Sequence, residues 1–144
     1  MFGYCLWYKI NNDHQYHKII QELSKRFETC IYEPHFTIKT SMTLDEAEKI
    51  YKEYQNKTYP VFKQIGDVYQ TKFKNFYALQ QNFIDIHNQK LYHISLVYNL
   101  DKAFSDDDII YVNNLRQPEL LSKDLKISIF RCDSIYASDW KKIK

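Results

Sequence analysis

Glycine is almost absent from this chain. Two of 144 residues are glycine, Gly3 and Gly66, and they stand far apart. A glycine-rich loop that cradles phosphate on backbone N–H groups is therefore excluded. Cysteine is scarce as well. Cys5, Cys30 and Cys132 make an odd count with no metal-binding spacing. Reduced, buried thiols and a cytoplasmic location are expected from that. An excess of one charge is also lacking. The formal net charge of +2 argues against a broad nucleic-acid footprint and leaves room for a local basic site for a small phosphate. No apolar run nears the length of a membrane span. The opening, MFGYCLWYKI, has no basic start and only a short apolar run, so no secretory leader is expected.

What is present reads as one globular domain, residues 1–144. The chain is 44% hydrophobic and 26% charged, a balance that builds a sizeable core. Thirteen tyrosines beside two glycines fit an AT-rich genome, as in some viruses, bacteria and protists. That bears on source and not on chemistry.

Residues 2–10 alternate and are rich in aromatics, which predicts a strand. Ile19, Ile20, Leu23 and Phe27 have helical spacing within residues 14–28. A second strand is expected over 34–40, with Pro34 at its start. Thr43-Leu44-Asp45-Glu46 is a capping box and predicts a helix over 44–55. Strand-like runs follow at 60–70, 73–80 and 91–98, with a short loop between 80 and 91. Ser105-Asp106-Asp107-Asp108 resembles another helix start, and Pro118 would end that segment. Residues 124–136 read as a long strand, with a last one within 138–144. Too few helices separate the later strands for a parallel sheet. The expected class is α+β with mainly antiparallel sheets.

Two stretches share one arrangement. Pro34-His35-Phe36-Thr37-Ile38 and Tyr92-His93-Ile94-Ser95-Leu96 each place a histidine and a hydroxyl two apart in an apolar run. Residues i and i+2 of a strand share a face. His35 then lies beside Thr37 and His93 beside Ser95, while Phe36, Ile38, Ile94 and Leu96 enter the core. If the two strands are neighbours, two imidazoles and two hydroxyls converge. That set suits phosphodiester chemistry. Imidazole titrates near 6.5, so one ring can take a proton while its partner gives one. The hydroxyls can donate to phosphate oxygens as negative charge builds there. No metal and no cofactor is called for, since two histidines without a carboxylate are a poor ligand set. The plainer reading is two buried, hydrogen-bonded histidines with no chemical role.

Other candidates have plainer explanations. His14 and His17 read as solvated helix residues, since a metal pair needs further ligands. His87 falls in a turn. Asp106, Asp107 and Asp108 are explained by capping, and Lys39 and Lys72 as surface charge.

The two motifs resemble the signature of the 2H phosphoesterases, two His-x-Thr/Ser motifs on strands, one per lobe. The likeness is nearest to that superfamily's cyclic nucleotide phosphodiesterase branch. Tyr4-Cys5-Leu6-Trp7 looks like its first strand, and Met42 to Ala47 like the helix after the first motif. Tyr98 stands five residues after His93, and Ile127 to Cys132 and Trp140 follow in order. The resemblance implies a two-lobed, pseudo-symmetric fold with antiparallel sheets around a central cleft and helices outside. It implies His35 and His93 as the catalytic pair, with Thr37 and Ser95 holding phosphate and Trp7 and Tyr98 lining the pocket. It draws His93 as base and His35 as acid. On strand geometry alone Tyr98 falls on the wrong face. It reaches the cleft only if the strand ends, twists or bulges first. Tyr92 departs from the family by replacing the proline often found before the second histidine.

The implied activity is metal-independent hydrolysis of nucleotide 2′,3′-cyclic phosphates or ADP-ribose cyclic phosphate. The implied partner is a small nucleotide or oligonucleotide substrate, with no membrane, no obligatory protein partner and a monomeric state. A second reading is a 2′,5′-phosphodiesterase degrading 2′,5′-oligoadenylate or cyclic oligonucleotide signals. A third is a non-catalytic RNA or nucleotide binder whose tyrosines stack on bases.

Overall fold

The computed structural model describes residues 2–74, 76–134 and 136–144. The strands are β1 (Tyr4–Ile10), β2 (His35–Met42), β3 (Phe62–Phe73), β4 (Phe76–Asp85), β5 (Lys90–Leu100), β6 (Leu125–Arg131) and β7 (Lys141–Lys142). The helices are α1 (Gln15–Arg26), α2 (Leu44–Gln55) and α3 (Asp106–Asn113). The class is α+β, as the patterning predicts. The strands form one sheet in the order β3-β4-β5-β2-β1-β6-β7, with every pairing antiparallel.

Local chemistry sets the helix starts. The Thr43 hydroxyl accepts the Glu46 N–H at 3.2 Å while the Glu46 carboxylate accepts the Thr43 N–H at 3.3 Å. Ser105 and Asp108 form the same reciprocal pair before α3. Each box satisfies two N–H groups that a helix end leaves free. His14 caps α1 rather than lying solvated. Its Nδ1 accepts the Tyr16 N–H at 3.1 Å, and the His17 ring bonds the Ile10 carbonyl at 3.0 Å.

Several expected boundaries move. β4 runs on to Asp85, past the expected end at 80, while β5 begins at Lys90, close to the expected 91; a tight hairpin turn over residues 86–89 joins them, so the first half of the expected loop is strand. Gln89 takes a positive φ of 61° in that turn. α3 stops at Asn113, well before Pro118. The Asn113 side chain bonds the Val68 backbone from both of its polar ends, at 2.6 and 3.2 Å. That tie to β3 competes with continuing the helix. β6 ends at Arg131, short of the expected 136. Residues 75 and 135, which the predicted strands 73–80 and 124–136 include, lie outside the described residues.

The two faces of the sheet differ. Leu6, Tyr8, Ile10, Phe36, Ile94 and Leu96 join Tyr16 and Leu23 of α1, Ala47 of α2 and Val112 of α3 in one apolar cluster. Each helix thus buries its apolar stripe on the same core. Cys5 and Trp7 point the other way and pack with Phe130 and Cys132. That second face carries the cleft. Among the described residues no helix is long and apolar enough to cross a membrane.

Candidate functional site

β2 and β5 are hydrogen-bonded neighbours, and one registered pair, Phe36 with Ile94, joins them. Both residues are 0% exposed, so this rung is locked from the core side. Continuing the antiparallel register one residue each way sets His35 opposite Ser95 and Thr37 opposite His93. Each histidine thus faces the hydroxyl of the other motif. The rows extend outward, since Lys9 pairs with His35 and Trp7 with Thr37 on β1. Gln80 pairs with Ser95 and Asn82 with His93 on β4. Side chains directly opposite on such a ladder have Cβ atoms about 5 Å apart, and diagonal ones about 7–8 Å. The two histidines are the diagonal pair. His35, His93, Thr37, Ser95, Trp7 and Tyr98 all line one cleft of about 340 Å³.

Tyr98 is on that face because β5 bulges. Leu79 pairs with Val97 and Gln80 with Ser95, so β5 uses one extra residue, Leu96, between the two rungs. The bulge reverses the alternation. Leu96 and Val97 both enter the core, at 1% and 0% exposed, and Tyr98 returns to the cleft. Tyr32 donates a hydrogen bond to the Ser95 carbonyl where the ladder is interrupted.

The two histidines differ in setting. His35 is buried, and its ring stacks on Trp7 with centroids 3.4 Å apart and planes 9° from parallel. Its Nδ1 lies 2.7 Å from the Glu33 carbonyl. A carbonyl only accepts, so Nδ1 carries the hydrogen and Nε2 is left with the lone pair. Burial pulls the His35 pKa down from 6.5 to about 3; the bond to Glu33 opposes this, and nearby His93 adds to it. His93 sits mid-strand and exposed. Partial desolvation of its ring lowers its pKa below 6.5. Tyr92, in the position before it, joins the aromatic core beside Tyr8 and Phe62.

The hydroxyls are also distinct. Ser95 Oγ accepts from Gln80 Nε2 at 3.3 Å, and the Gln80 carbonyl accepts from the Tyr69 hydroxyl at 3.2 Å. Tyr98 hydrogen-bonds Ser95, yet burial still pushes its pKa up to about 12. It remains a phenol and serves as a donor, not a base. The sequence gives no sign of Gln80 or Tyr69, because their place depends on register. The same holds for Lys9. It is buried, and its Nζ lies 3.0 Å from the Glu33 carboxylate, which tethers the residue whose carbonyl orients His35.

Among the described residues no three His, Cys, Asp or Glu side chains gather to hold a metal ion. His87 lies exposed in the hairpin turn, away from the cleft. Compared with protein-family models and with curated proteins, the chain matches none.

Proposed function

We propose that this protein is a phosphodiesterase that hydrolyses nucleotide 2′,3′-cyclic phosphates by paired histidine acid–base catalysis, without a metal. The observation that carries the reading is the single Phe36–Ile94 rung, which brings both His-x-Thr/Ser motifs onto one wall of one cleft. On this reading β2-β1-β6-β7 and β3-β4-β5 are the two lobes of a 2H phosphoesterase fold, each bearing one motif.

The settings of the rings suggest roles opposite to those the resemblance draws. His35 is held neutral, with Nε2 unprotonated and its ring fixed by Trp7 and Glu33. It is the better base. His93 is exposed and less strongly shifted, so an arriving phosphate anion can hold it protonated. It is the better acid. His35 takes a proton from water, the oxygen adds to phosphorus, the P–O bond to one ribose oxygen breaks, and His93 protonates that oxygen. Thr37 and Ser95 donate to the non-bridging oxygens as their charge grows.

Purified protein incubated with 2′,3′-cyclic nucleotides in EDTA tests this. Turnover is expected, and His35→Ala and His93→Ala should each lower it by about 10²–10⁴-fold. Turnover unaffected by either substitution refutes the roles. Tight binding with no turnover would favour a nucleotide-binding module instead.

A further inference from the structure

A second cavity, of about 170 Å³, adjoins the cleft and shares Phe76, Tyr98 and Trp140 with it; Thr29, Cys30 and Tyr136 also line it. We infer that this cavity is a nucleobase subsite, an inference that rests on the cleft taking the phosphate.

Three observations point to a flat ligand with a polar edge. First, the shared wall is aromatic and oriented. Tyr98 meets Phe76 at 5.6 Å and 81° and Trp140 at 6.3 Å and 72°. Trp140 Nε1 donates to the Ser134 carbonyl at 2.9 Å, and Tyr98 bonds Ser95. Both polar tips are therefore engaged, and apolar ring surface remains for stacking. Second, Tyr136 stands 49% exposed at the mouth, a large aromatic with no core role there. Third, Thr29 Oγ1 is buried without a hydrogen-bond partner. A hydroxyl left so is costly unless something meets it. A base supplies both what the rings want and what the hydroxyl lacks, since bases stack on aromatic faces and carry donors and acceptors on their edges. Tyr98 divides the two spaces, touching Ser95 on one side and the aromatic cavity on the other. A nucleotide likewise carries its phosphate and base on opposite sides of one ribose. Such a cavity distinguishes base-bearing substrates from bare ribose cyclic phosphates.

The test compares the four nucleoside 2′,3′-cyclic phosphates with methyl riboside 2′,3′-cyclic phosphate, which has no base. Wild type, Thr29→Val and Tyr136→Ala are assayed on each, with melting curves as a folding control. The best base-bearing substrate should exceed the base-free one by about tenfold or more in kcat/KM. Thr29→Val and Tyr136→Ala should raise KM for nucleotides and leave the methyl riboside unchanged. Equal efficiency on both substrate kinds in wild type overturns the subsite, as does an equal effect of the variants on both. If nothing is turned over, nucleoside 3′-monophosphate binding, followed by tryptophan fluorescence against inorganic phosphate, decides separately. Binding weakened by Thr29→Val upholds the subsite while the phosphodiesterase reading falls. No preference over inorganic phosphate overturns the subsite.

Discussion

Acidification should destabilise this protein through His35. The ring is buried and its pKa is lowered to about 3, with burial the main cause. In the unfolded chain an imidazole titrates near 6.5. Between those values the unfolded state binds a proton that the folded state refuses. Stability is then fully present above pH 6.5 and is lost as pH falls towards 3. The whole difference, roughly 3.5 pH units, corresponds to about 5 kcal/mol. Between pH 7 and 5 the loss is about 2 kcal/mol. A small domain has only about 5–15 kcal/mol in total, so this is a large share.

Urea unfolding at both pH values measures it. With a slope of about 2 kcal/mol per molar, the midpoint should drop by about 1 M on His35's account. His35→Asn supplies the comparison, because its amide N–H can still donate to the Glu33 carbonyl. The variant loses the stacking on Trp7 at every pH, but it has nothing to titrate in this range. Groups remote from His35 contribute equally in both proteins and cancel. The wild type should therefore lose about 2 kcal/mol more than His35→Asn on going from pH 7 to 5. Equal losses in the two proteins would refute the argument, and with it the claim that His35 is held neutral.

The pH–rate profile should follow from the same asymmetry: with His93 as the proposed acid and His35 as the proposed base, kcat/KM rises from pH 8 down to pH 5, as His93 gains its proton while His35 stays deprotonated. A bell centred on pH 7 would sink it. Thr37→Val should cut kcat by about 10²-fold with little change in KM if the hydroxyl acts on transition-state charge, and steady-state kinetics separate the two. Tyr32→Phe removes the hydroxyl that satisfies the Ser95 carbonyl; urea unfolding should show a loss of about 1–3 kcal/mol. Cys5 lines the cleft, and its hydrogen bond with Cys132 holds its thiol at about 7 against the effect of burial. Iodoacetamide at pH 7.5 should modify Cys5 ahead of Cys132, whose pKa is pushed up by that same bond and by burial, as peptide mass mapping will report.

Much of the site is legible from local rules alone. Period-two alternation puts His35 with Thr37 and His93 with Ser95, and capping chemistry marks the starts of α2 and α3. What escapes is whatever depends on pairing. The ends of β4 and β5 are set by each other, through the rungs from Phe76–Leu100 to Asp85–Lys90, and neither strand's composition states where its partner stops. The end of α3 depends on Asn113 meeting Val68, 45 residues away in sequence. Gln80 looks like any polar residue of an alternating strand until the Leu96 bulge brings Ser95 opposite it. Tyr98 is the sharpest case. Its face is wrong by alternation and right in the fold, and the difference is one residue.

That one residue also explains why the second motif can serve two spaces. Without the bulge, Val97 would follow Ser95 onto the cleft face and Tyr98 would enter the core. With it, two consecutive apolar residues go inward, and Ser95 and Tyr98 become neighbours on the open face, close enough to hydrogen-bond. The Ser95 hydroxyl and the aromatic wall of the adjoining cavity are thus fixed to one another by a backbone irregularity. Tyr32 anchors that irregularity from α1's side of the molecule by bonding the Ser95 carbonyl. The first motif needs no such device, because its ring is placed by Trp7 and Glu33 on its own half of the sheet. The division of labour follows: β2 supplies a rigid, buried, neutral imidazole, and β5 supplies an exposed imidazole together with the bulge that seats Tyr98 between the cleft and the aromatic cavity.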